Sequence, residues 1–120
     1  MSFRVLDALP ILVMRFGETV NKILDNRDGR LGLENKNKVM GFHTASDKAV
    51  GLDIYPANLN RVRLWIEPPE PPPISGIVVL GPKKCADLRR SELNALADAK
   101  GIYLEAEDKA AFEALLAWYS

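Results

Sequence analysis

Two short runs in the middle of the chain alternate strictly. Val50, Leu52 and Ile54 alternate with Gly51, Asp53 and Tyr55, and Val62, Leu64 and Ile66 alternate with Arg61, Arg63, Trp65 and Glu67. Successive side chains on a strand point to opposite faces, so period two over such runs requires one buried face and one outward face. Pro56-Ala57-Asn58-Leu59-Asn60 between them is a five-residue turn, which makes the pair a hairpin. Six apolar side chains must then be covered, and the rest of the chain has to supply the cover.

Upstream, Leu9, Leu12, Val13, Phe16, Val20, Ile23 and Leu24 recur at three- and four-residue steps, which predicts a helix over 10–26. Pro10 suits its first turn, Asp25 to Gly29 supplies the stop, and Gly17 inside it predicts close packing against a strand. Strand character follows weakly at 31–34 and better at 38–44. After the hairpin, Glu67-Pro68-Pro69-Glu70-Pro71-Pro72-Pro73 cannot continue a ladder, because proline lacks the N–H, and reads as a stiff connection over 67–73. Ile77-Val78-Val79-Leu80 is a continuous apolar run, as expected of a strand buried on both faces, and Gly81-Pro82 ends it. A helix over 87–100 with Leu88, Leu93, Leu96 and Ala97 inward is expected next, then a short strand over 102–104. Asp108 can cap a last helix that carries Ala111, Phe112, Leu115, Leu116 and Tyr119 on one face.

The expected fold class is α+β: an N-terminal helix, an antiparallel hairpin or meander, then a β-α-β-α C-terminal half. All of it is expected to form one compact domain over residues 1–120. With 120 residues, 48% of them hydrophobic, such a chain can bury a core without disulfide or metal staples. The stretch Leu9 to Met14 is too short for a membrane span and lacks a basic leader. No membrane association and a cytoplasmic location are expected.

Composition narrows the chemistry. A single cysteine, Cys85, excludes an intramolecular disulfide, and a single histidine, His43, leaves too few nitrogen ligands for a typical catalytic zinc. No metal or cofactor is expected. Sixteen basic and sixteen acidic residues give zero formal charge, which argues against non-specific coating of a polyanion. Seven basic residues fall between Arg27 and Arg63 against four acidic ones, whereas the last stretch from Ile102 is acidic. Such a split can orient a charged partner.

The outward face of the hairpin is the candidate ligand-binding surface. It would display Asp53 and Tyr55 on one strand and Arg61, Arg63 and Trp65 on the next, with His43 joining from a neighbouring strand. Guanidiniums fork to phosphate or a guanine edge, and the aromatic rings offer stacking surfaces. The alternative is that the two C-terminal helices cover this face and make Tyr55 and Trp65 core residues. Lys83, Lys84, Arg89 and Arg90 form a secondary basic patch, placed after a strand but without the glycine pattern of a phosphate loop.

Catalysis is not expected. Glu67 precedes two prolines where a strand-type nuclease would want a lysine, and there is no Gly-x-Ser-x-Gly elbow. Cys85 and His43 have nothing local to orient them as nucleophile and base. The residues therefore point to a non-catalytic recognition domain for nucleic acid, specific in mode and able to serve as a module of a larger protein. The alternative is a protein-interaction module: a small inhibitor, an immunity- or antitoxin-like partner, or an oligomer subunit whose homodimer contact uses Trp118 and Tyr119. A small-molecule enzyme ranks last.

Overall fold

A computed structural model of the chain describes residues 3–20, 38–89 and 91–120. Helix α1 spans Val5–Phe16 and helix α2 Lys109–Tyr119. The strands are β1 (Val39–His43), β2 (Ala49–Asp53), β3 (Val62–Ile66), β4 (Ile77–Gly81) and β5 (Ile102–Ala106). They form one sheet in the order β1-β2-β3-β5-β4, antiparallel at every junction. The α+β class expected from the sequence is what the chain adopts.

The two faces of the sheet carry different cover. On one, Phe42, Val50, Leu52, Val62, Leu64, Ile66 and Leu104 pack against Val5, Ala8 and Leu12 of α1 and Phe112, Leu115 and Leu116 of α2. On the other, Val39, Trp65 and Tyr103 pack against Leu88, Leu93, Leu96 and Ala97. All six hairpin residues assigned inward by the alternation are fully buried. The stripe of α2 is buried as its spacing requires, and the Asp108 carboxylate accepts the Ala111 N–H at 2.8 Å as its cap.

The first helix differs from its expected position. Val5 and Ala8 extend the apolar stripe upstream, so α1 begins before Pro10 and holds that proline in its interior. Its start is fixed by Asp7, whose carboxylate accepts the Arg4 N–H at 2.9 Å. Gly17 has a φ of 86° and lies just past the last turn, so it stops the helix instead of packing inside it. The part of the expected helix beyond Val20 and the weak strand at 31–34 lie outside the described residues.

Two further expectations change. The segment over 87–100 is not an α-helix: it forms two 3-10 turns, Ala86–Arg89 and Ser91–Leu96, and then passes through left-handed Asp98 and Ala99. Its inward residues are nonetheless the ones expected. The close approach is permitted by Gly41 and Gly51, which face each other across β1 and β2. A Cβ at Gly41 would stand 2.5 Å from Leu93 Cδ2, and one at Gly51 would stand 3.0 Å from Val39 Cγ1 and 3.3 Å from Leu88 Cδ2. The bare backbone of this pair is the seat of the turns.

The run Ile77–Leu80 is a strand, but it is the sheet edge and is not buried on both faces. Val78, Val79 and Leu80 are 43%, 39% and 41% exposed. An apolar run fixes strand character, while its rank in the sheet depends on where the proline connection delivers it. Among the described residues, no helix is long and apolar enough to cross a membrane.

Candidate functional site: a lysine-rimmed pocket beside the hairpin turn

The outward hairpin face is not an open recognition surface. Trp65 is 1% exposed beneath the 3-10 turns, stacked on Tyr103 with ring centroids 4.7 Å apart. Its indole N–H donates to the Lys83 carbonyl at 3.0 Å, which satisfies the one polar atom of the ring. Among the described residues the cover comes from the 87–100 segment, with Val20 and Cys85 packed beside it, and not from α2, which lies on the opposite face. Arg63 is spent on Glu105, Nε to Oε1 at 2.8 Å, and that carboxylate raises its already high pKa. Arg61 is exposed beside Asn60, Glu105 and Glu107, away from Trp65. His43 sits at the far end of β1 with Nδ1 3.3 Å from Asp47 Oδ1. The six-residue set therefore does not assemble, because Arg63 and His43 are paired elsewhere and Arg61 lies exposed at a different surface hollow.

The basic patch divides in the same way. Arg89 pairs with Asp98 at 3.0 Å, and the side chain of Arg90 lies outside the described residues. Lys83 and Lys84 instead converge with half of the hairpin set. Together with Lys38, Tyr55, Asn58 and Cys85 they enclose a pocket of about 330 Å³ whose inner wall includes Asp53 and Trp65.

Local chemistry builds this pocket. Asp53 ends β2, and its Oδ1 accepts the N–H of Tyr55 two residues on at 3.0 Å, a turn that frees the chain from the ladder. Its Oδ2 accepts from Asn58 Nδ2 at 3.0 Å and from the Tyr103 hydroxyl at 2.6 Å. Asp53 is thus a buried carboxylate, 2% exposed, that pins both ends of the hairpin turn. Tyr55, next in sequence, is left 43% exposed on the rim. Burial and the Asp53 carboxylate push the Tyr103 phenol well above the ordinary tyrosine value, with nearby Arg63 partly offsetting them, so Tyr103 remains a hydrogen-bond donor at neutral pH.

Two of the ammonium groups lie over aromatic rings. Lys38 Nζ lies 5.2 Å from the Tyr55 centroid and Lys83 Nζ 4.9 Å from that of Tyr103. Among the described residues, no carboxylate pairs with Lys83 or Lys84. Lys83 and Lys84 together outweigh Asp53 among the lining side chains, with an aromatic ring at the mouth and hydrogen-bonding groups at the base. Such a lining suits a small anion that carries a flat ring. No group of three or more metal-ligating side chains occurs among the described residues.

Lys38, Asn58 and Cys85 line the pocket and were not among the expected site residues, nor was Tyr103, which supports the pocket through Asp53 and Lys83. Tyr103 was findable in principle, because in a short strand it must face opposite to Leu104. Its meeting with Asp53 depends on β5 lying beside β3, which no local signal encodes.

The assignment to Tyr119 also changes. Its ring is 1% exposed; its hydroxyl donates to the Ala49 carbonyl at 2.6 Å and accepts the Glu67 N–H at 2.7 Å. It closes the end of the β2–β3 pair and is not available to a partner, whereas Trp118 is 39% exposed. In comparisons with known proteins, the chain matches no family model, no curated protein and no solved structure.

Proposed function

We propose that this chain is a non-catalytic recognition domain that binds nucleic acid at the pocket between the hairpin turn and the Lys83-Lys84 segment. The observation that carries the reading is the convergence of Lys38, Lys83, Lys84 and the exposed Tyr55 ring on one concavity. Ammonium groups supply the sequence-independent attraction to phosphate, and a tyrosine ring supplies a platform for a base. The zero net charge supports a local contact over broad electrostatic coating. Arg61 and Arg63 do not line this pocket and have no direct part in the contact, and buried Trp65 contributes to its wall.

The test is oligonucleotide binding measured by fluorescence anisotropy across a salt series. Lys83 and Lys84 on a single strand contribute about −1.4 to the slope of log affinity against log salt, and replacing both by alanine removes that contribution. Absence of saturable binding at low salt, or binding unchanged in the double variant, rejects the proposal.

A protein-partner reading is favoured by a separate observation, the exposed apolar edge of β4 together with Leu6, Val13 and Met14 on α1 and Trp118 on α2. Unpaired strand edges and apolar side chains in water are what partner surfaces cover. Light scattering checks the homomeric version: an assembly lost in Trp118→Ala or Val79→Lys supports it, and a strict monomer rejects it.

A further inference from the structure

The pocket is small, and its one buried carboxylate is not saturated. A carboxylate offers roughly four acceptor positions. Asp53 has three filled, one on Oδ1 by the Tyr55 amide and two on Oδ2 by Asn58 and Tyr103. One position on Oδ1 remains, on a residue that lines the cavity. Lysines line the same cavity, so the complementary ligand combines negative charge with an N–H donor.

Size limits the ligand further. A volume of about 330 Å³ lies at the lower end of small-molecule sites, enough for one nucleotide unit and far too little for a paired, stacked duplex. A base can reach Asp53 only after leaving its stack, with its face against Tyr55 and its phosphate among the lysines.

Resting on the nucleic-acid reading above, we infer that the pocket takes a single unstacked nucleotide and favours a base that presents an exocyclic amino group to Asp53. Amino groups on cytosine, adenine and guanine donate where the corresponding position of thymine is a carbonyl oxygen. Thymine's only base donor, the N3–H, stands between two carbonyl oxygens, so bringing it to the carboxylate also sets an acceptor against an acceptor, whereas an exocyclic amino group can approach from its outer side. Discrimination of this kind acts through one buried hydrogen bond to a charged group, so it survives salt that weakens the phosphate contacts.

The experiment compares labelled single strands of oligo-dC and oligo-dT, an oligo-dC analogue lacking the N4 amino group, and a mixed-sequence duplex. The expected result is oligo-dC binding at least about fivefold tighter than oligo-dT. The analogue falls to the oligo-dT level, and the duplex binds more weakly than oligo-dC. Asp53→Asn, checked for folding by circular dichroism, should bring oligo-dC and oligo-dT to similar affinity. The analogue asks the same question without altering the protein, should that variant fail to fold. Equal affinity for oligo-dC, oligo-dT and the analogue, or a duplex bound as tightly as oligo-dC, overturns this inference and leaves the nucleic-acid reading in place. No saturable binding to any of the four overturns both.

Discussion

The Tyr103 hydroxyl reaches over β3 to donate to Asp53 Oδ2 at 2.6 Å, joining β5 to β2 across the strand between them. The bond holds the carboxylate that shapes the hairpin turn, and so couples the sheet to the pocket. Tyr103→Phe removes the donor and leaves a buried carboxylate with one fewer partner. The expected cost is about 1–3 kcal/mol, read as a lower urea midpoint with an unchanged m-value. Pocket affinity should fall with it, because Tyr55 loses its fixed anchor.

Alkaline pH should destabilise the fold. Burial raises the phenols of both Tyr103 and Tyr119 above the ordinary value near 10. A raised folded-state pKa means that the stabilisation is complete below about pH 10, where the unfolded tyrosines are also protonated. Above it the unfolded chain ionises first, and stability falls by about 1.4 kcal/mol per pH unit for each phenol until the folded value is reached. Urea denaturation between neutral pH and pH 11 measures this. Tyr119→Phe should remove roughly half of the alkaline slope while lowering stability at neutral pH, since the Ala49 carbonyl and Glu67 amide lose their shared partner.

Two glycine substitutions should differ in cost. At Gly41 an added Cβ meets the flexible tip of Leu93 at 2.5 Å, so Gly41→Ala is relieved by a side-chain shift and costs about 1 kcal/mol. At Gly76 the φ is 89° and the added Cβ would lie 2.7 Å from the Cβ of buried Ala111, so Gly76→Ala combines backbone strain with a clash that no rotamer relieves. About 2–4 kcal/mol is expected there. Thermal melts of the two variants give the order, and equal shifts would count against the close β4–α2 approach.

The edge position of β4 makes a prediction opposite to that of a buried strand. Val79→Lys should change stability by no more than about 0.5 kcal/mol, because the side chain is 39% exposed and a lysine can keep its charge in water. A loss of several kcal/mol on urea titration would mean that the strand is enclosed.

What the sequence determined by itself is the local periodicity. The alternation over Val50–Ile54 and Val62–Ile66, the stripe from Ala111 to Tyr119 and its Asp108 cap are all present as written, because each is set by neighbours a few residues apart. Even the segment over 87–100 buries the right residues while adopting a different helix type. Tertiary structure alone decided which faces stay open. Trp65 and Arg63 alternate outward as predicted, yet for Trp65 outward from one helix layer meant inward to a second layer seated on Gly41 and Gly51, while Arg63 was taken by Glu105. β4 reads as interior from its composition and is the edge, because strand order is set by long connections and not by propensity. The pocket takes Lys38, Asp53 and Lys83 from separate segments, with Asp53 held by Tyr103 of β5, and only the assembled sheet brings them together.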